Sequence, residues 1–227
     1  MKTAGKQRYV VVSAVLCALV MSLVDGVIQP PYAVKSGIKV ILFLIVPLIY
    51  FYTQGELKSQ LKAFFLPYKR DVFIALALGI GVYFLILGGY WLITRIFPLA
   101  DIILELTAQN GVGADNFGAV SIYIALVNSL LEEFLFRGFA FLSLKKLSSR
   151  SFACIFSAAV FAVYHFGMVA GSGNLLIWIC ALAGLFIAGI VLNFLDEKSG
   201  SILTSWLLHM CANLGINTVA FYVFGMI

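Results

Sequence analysis

The sequence predicts an all-α protein, a polytopic membrane helix bundle of about seven transmembrane helices. Three observations carry that reading: an apolar excess, a series of long apolar runs, and basic residues gathered on alternate connecting segments. Of the 227 residues, 63% are hydrophobic and 11% charged, with a mean hydropathy of +1.06. Soluble domains run nearer about 45–50% apolar and about 25% charged. A chain of this length has too little interior to bury such an excess. Lipid accommodates it, and the length suits one helical bundle.

A spanning helix needs about 20 mostly apolar residues. Seven runs meet or approach this: Tyr9 to Ile28, Ile38 to Thr53, Val72 to Phe97, Phe117 to Ser143, Phe152 to Met168, Leu175 to Phe194, and Ile202 to Phe224. Pro47 is a candidate kink in the second. The first is longer than a signal-peptide core and has no small-residue cleavage site before a soluble domain, so it reads as a span.

With the N-terminus placed inside, the inner segments carry Lys2, Lys6, Arg8, Lys58, Lys62, Lys69, Arg70, Lys145, Lys146, Arg150 and Lys198. The outer segments carry Lys35, Lys39 and Arg95. Eleven against three predicts an N-in, C-out topology by the positive-inside rule. The net charge of +5 is therefore topological, and no nucleic-acid partner is expected. Between spans two and three, Leu57, Leu61, Phe64 and Phe65 recur at helical spacing with Lys58 and Lys62 between them. This predicts an amphipathic helix on the inner leaflet. The segment Pro98 to Asn116 reads as a flexible, solvated outer loop. Cys17, Cys154, Cys180 and Cys211 lie in apolar runs without a CxxC pair, as reduced thiols packed like small hydrophobes.

Ionisable residues inside the spans need another explanation. The fourth span contains Asn128, Glu132, Glu133 and Arg137. A charge at the centre of a membrane helix costs about 2.5–3.5 kcal/mol or more, and two adjacent carboxylates also repel each other. Glu133 and Arg137, four apart, share a face and offset part of that cost. Glu132 is rotated about 100° away, available to another helix or to water, with Asn128 on its stripe. The plainer readings are an ion network that fixes packing, or an interfacial group with Arg137 snorkelling outward. The protein's two histidines weigh against both. His165 lies in the fifth span and His209 in the seventh, where Asn213 extends its polar face by one turn. Asn217 continues that face.

Glu132, His165, His209 and Asn213 would supply a base, an assisting histidine and two oxyanion donors for peptide hydrolysis without a covalent nucleophile. A carboxylate in a poorly solvated pocket is a better base. Rival chemistries remain open. Glu132, His165 and His209 would also make a two-histidine, one-carboxylate zinc set, although no HExxH motif is present. Ser205 shares a face with His209 but lacks a nucleophile context. A proton relay through Glu132 and His165, in a transporter, would normally come with paired repeats and broken helices.

The strings EEFLFR (Glu132 to Arg137), FAVYH (Phe161 to His165) and HMCAN (His209 to Asn213) resemble the three motifs of the CPBP family. That family includes the type II CAAX prenyl endopeptidases and the bacterial Abi, or bacteriocin-processing, proteins. The resemblance covers about Phe117 to the C-terminus. It implies a glutamate-dependent intramembrane endopeptidase: Glu132 as base on water, His165 assisting, His209 and Asn213 as the oxyanion hole, Glu133 and Arg137 in support. It implies no cofactor and no metal, and a membrane-associated peptide or protein substrate in contact with the lipid bilayer. On this reading residues 1–116 hold N-terminal transmembrane helices with the amphipathic segment, and 117–227 hold the catalytic core, within one membrane domain. The expected location is a bacterial plasma membrane with a cytoplasmic N-terminus. A non-enzymatic immunity or scaffold protein is the alternative of a different class.

Overall fold

In lipid every backbone polar group must be satisfied within the chain, so long apolar runs fold as helices. The computed structural model describes residues 3–169 and 173–227, and they form helices and short connections without strands. We number the helices α1 (Thr3–Ile28), α2 (Tyr32–Thr53), α3 (Leu57–Phe65), α4 (Lys69–Ile93), α5 (Leu99–Gln109), α6 (Phe117–Ser143), α7 (Arg150–Val169), α8 (Leu175–Ser199) and α9 (Ile202–Val223). Among the described residues, seven of these, all but α3 and α5, are long and apolar enough to cross a membrane. The chain is thus an all-α, multi-pass membrane bundle.

The ends follow local chemistry. α1 stops where Gln29 takes a left-handed conformation (φ 46°), just before Pro30 and Pro31. Ser149, Asn174 and Ser201 cap the N-termini of α7, α8 and α9, accepting from the N–H groups of Phe152, Leu176 and Leu203. Gly200, at φ 71°, ends α8 in the left-handed turn that glycine adopts without strain. Asp196 then ties α8 to α9, its carboxylate accepting from Ser205 Oγ (2.7 Å) and the Ser205 N–H (3.0 Å). Ser205 is thereby committed to a helix junction.

α6 is the axis of the bundle: 56% of its most apolar window is buried, against 11% for α4 and α8. The stretch of α6 from Leu131 to Phe141 is therefore shielded, while α4 and α8 present Phe73, Phe84, Trp91, Ile179, Ile187 and Phe194 to the exterior. Around α6, Phe43, Phe51, Phe64, Phe134, Phe136 and Phe139 pack largely edge to face. Gly138 permits this, since a Cβ there would sit 2.8 Å from the Phe64 ring. α4 packs along α9, where Gly79 lets the helices approach to Cys211.

Two expectations change. Span two begins at Tyr32 rather than Ile38, which brings Lys35 inside the helix and puts Lys39 two turns from its start, both buried. They are not charges of an outer loop. The segment Pro98 to Asn116 is also not a featureless loop, because α5 occupies most of it and Ile103 packs against the cluster formed by Val112, Phe117, Val120 and Ala220. The amphipathic helix is present as α3, with Phe64 in the core and Lys58 and Lys62 exposed. The four cysteines are free thiols.

Candidate active site

α6 is not a uniform α-helix. Wider i→i+5 turns at Ile124–Asn128 and Glu133–Ser143 flank a short α segment, Ser129–Glu132. Such turns loosen carbonyls from the regular ladder and recur at functional sites. α9 is tied to this part of α6: Trp206 Nε1 donates to Leu126 O (3.0 Å) and Asn213 Nδ2 to Ile124 O (3.2 Å), both in the first wide turn, and Asn217 Nδ2 donates to Ser121 O (2.9 Å) just before it. These three side chains fix the rotation of α9 and set His209 against α6. Asn217, read from sequence only as a continuation of the polar face, is one of the ties.

The two glutamates diverge. Glu133 Oε1 lies 2.6 Å from His209 Nδ1. Its other oxygen is 3.2 Å from Arg137 Nε, an ion pair without hydrogen-bond alignment. The Arg137 guanidinium lies over the Phe161 ring, 4.1 Å from its centroid. Arg137 is 0% exposed, so the snorkelling alternative does not hold. Glu132 turns the other way. Its Oε1 accepts from Asn128 Nδ2 (2.7 Å), Tyr164 OH (3.0 Å) and Lys39 Nζ (3.3 Å). Its Oε2 is buried with no hydrogen-bond partner among the described residues.

His165 sits where α7 breaks. Its N–H bonds to Ala162 O (3.1 Å), a tighter turn that leaves the Phe161 carbonyl to accept from the His165 ring at Nδ1 (2.8 Å). A carbonyl only accepts, so Nδ1 carries the proton. The carboxylate beside His209 Nδ1 imposes the same tautomer there. Both Nε2 atoms are then turned toward Glu132 Oε2, each 3.8 Å from it.

Glu132, His165, His209 and Asn213 line one cavity of about 1030 Å³, walled mainly by apolar side chains of α4, α8 and α9. Glu133 and Arg137 stand behind that wall. Sequence reading missed Lys39 and Tyr164, although both contact Glu132 directly. Tyr164 lies inside the FAVYH string, and Lys39 reads in the sequence as an outer charge. A signal did exist: two glutamates and only one arginine on α6 leave one buried carboxylate without a cation.

As for metal, tetrahedral zinc at about 2.0–2.2 Å would need these donor atoms within about 3.4 Å of one another. The 3.8 Å spacings are wider.

Residues 115–215 match the family model described as Rce1-like, type II CAAX prenyl endopeptidase, a segment a little under half the chain. It contains Glu132, Glu133, Arg137, His165, His209 and Asn213. No curated protein and no solved structure matches the chain. With the three motifs in order on α6, α7 and α9, residues 115–215 of this membrane protein are similar to the Rce1-like, type II CAAX prenyl endopeptidase family.

Proposed function

We propose that the protein is an intramembrane endopeptidase that hydrolyses a peptide bond in a membrane-associated protein or peptide, using water activated by Glu132. One observation carries the reading: a buried carboxylate oxygen, Glu132 Oε2, unpartnered among the described residues, faces the Nε2 atoms of His165 and His209 at the wall of a large apolar cavity. Atoms 3.8 Å apart can share a water that lies about 2.8 Å from each.

In that arrangement Glu132 Oε2 takes a proton from the water, and the water oxygen bonds to the scissile carbonyl carbon. The carbonyl π pair moves onto its oxygen. The second proton of the Asn213 amide, not used on Ile124 O, and His209 Nε2 in its protonated form are the donors to that oxyanion. Collapse breaks the C–N bond, and the proton held by Glu132 passes to the leaving nitrogen. His165 orients the water through Nε2. Glu133 holds the His209 ring, and Arg137 balances Glu133.

The apolar walls suit a substrate segment that enters from the lipid, and the basic inner segments support a cytoplasmic N-terminus in a bacterial plasma membrane. The test is a peptide-release assay in membranes expressing wild type or Glu132→Gln, read by mass spectrometry. Peptides released by wild type and lost in the variant support the reading. Identical peptide profiles sink it and favour a scaffold or immunity role.

A further inference from the structure

We propose that Lys39, from a helix outside the family-matched segment, is the counter-ion and positioning residue of Glu132. The inference rests on Glu132 being the base, and it names what makes that base usable. Lys39 is buried, and its ammonium group has three protons to place. The structure offers three acceptors: Asn128 Oδ1 at 2.5 Å, Glu132 Oε1 at 3.3 Å, and Tyr164 OH in close contact. Asn128 and Tyr164 in turn each donate to the same Glu132 Oε1. The network is closed, so Lys39 has no proton left for a substrate. It acts through Glu132.

Two consequences follow from the geometry. Oε1 is saturated by three donors, which fixes the carboxylate plane and leaves Oε2 as the oxygen that faces the two histidines. The buried charge is also balanced pair by pair: Arg137 stands against Glu133, and Lys39 against Glu132. A buried carboxylate without its cation is strongly unfavourable, whereas removing both charges together is far less so. Lys35, one turn earlier on α2, is already taken by Asn110 Oδ1 (2.7 Å) and Asp25 (3.6 Å), so it does not substitute. The Rce1-like segment is therefore chemically incomplete alone, and α2 supplies the missing charge.

The experiment uses the full chain. Lys39→Met keeps the side chain as far as the Cε position and removes the charged nitrogen. It is expected to lower the unfolding temperature and the folded yield, and to reduce peptide release by about 10- to 100-fold, the worth of one charge-assisted hydrogen bond. Adding Glu132→Gln to Lys39→Met should restore most of the stability but no activity. Lys39→Ala opens a channel from the cavity that matches propylammonium. That ion should raise the unfolding temperature and peptide release of Lys39→Ala, whereas propanol, which fills the same space without charge, should not. The proposal is overturned if the double variant is no more stable than Lys39→Met, if propanol serves as well as propylammonium, or if Lys39→Met matches wild type. If wild type itself releases no peptide, the protease reading fails, and the stability and amine results still decide whether Lys39 is the counter-ion.

Discussion

His209 and Glu133 are joined at 2.6 Å, through Nδ1 and Oε1, so the second carboxylate of the Glu132–Glu133 pair is bound to the same ring whose far nitrogen faces the first. One imidazole thus links two adjacent residues of α6 that point in different directions. The arrangement accounts for keeping two glutamates side by side in a membrane helix. One holds the histidine from behind, and the other meets it across the cavity.

From this link comes a prediction about Glu133 and Arg137. Both are fully buried, and each is the other's charge partner. Removing one leaves an uncompensated buried charge, at about 3–5 kcal/mol. Arg137→Ala should therefore lower protein abundance in the membrane as well as peptide release, measured together by quantitative immunoblot and mass spectrometry. Normal abundance with release abolished would place Arg137 in the chemistry instead.

Glu132→Gln should separate folding from turnover. The amide oxygen still accepts from Asn128, Tyr164 and Lys39, so the site keeps its shape. Lys39 loses its counter-charge, so abundance should fall in part, and turnover is compared per folded protein. The Oε2 position, however, no longer takes a proton. Loss of a general base costs on the order of 10²–10⁴ in rate. Single-turnover release of a peptide cleaved by wild type reads this directly. A variant with undiminished turnover would remove Glu132 from the mechanism.

The bundle was legible in the sequence because lipid exposure writes itself as uninterrupted apolar runs, and all seven appear as helices. What was not legible depends on packing. Lysine beside an apolar run reads as the end of a span, which puts the start of α2 at Ile38 and counts Lys39 with the outer charges, although Lys35 and Lys39 are both buried within the helix. α5 was hidden because a short helix with Asp101 and Glu105 resembles a solvated loop in composition. The i→i+5 turns of α6 leave no mark that 3.6-residue periodicity detects. The first of them nonetheless holds the Leu126 and Ile124 carbonyls that accept from Trp206 and Asn213, on either side of His209 in α9. The motif residues were found by residue type and order. Their partners required the fold.

Asn213→Ala tests the oxyanion assignment. Asn213 spends one amide proton on Ile124 O and retains the other. Removal of one such donor costs about 10²–10³ in turnover. The loss should fall on kcat rather than KM, because the donor meets charge that develops only in the transition state. A matching rise in KM with kcat preserved would make Asn213 a substrate-binding residue.

Orientation is open to direct measurement. With Lys35 and Lys39 inside α2, Arg95 alone remains on the connecting segments that the positive-inside rule assigns to the outside, which sharpens the expected bias. Single cysteines introduced near the N-terminus and at Lys145, in a background without the four native cysteines, should be labelled from the same face by a membrane-impermeant reagent. Labelling from opposite faces would break the seven-span assignment.

Metal dependence separates the two mechanisms that share His165 and His209. Histidine substitutions cannot do so, because water orientation and zinc ligation both need the same Nε2 atoms. The geometry favours water: each Nε2 lies 3.8 Å from Glu132 Oε2, a spacing that a hydrogen-bonded water spans and that is wider than the about 3.4 Å between ligands of a tetrahedral zinc ion. Lys39 argues the same way, since its ammonium already neutralises Glu132 from the other side. A cation added at Oε2 would place two positive groups on one carboxylate. Purified, active protein should therefore contain substoichiometric zinc by elemental analysis and keep its turnover in the presence of chelators. Stoichiometric zinc, with activity lost on chelation and regained on adding zinc back, would replace the glutamate-activated water by a metal-bound one and would recast Glu132 as a ligand.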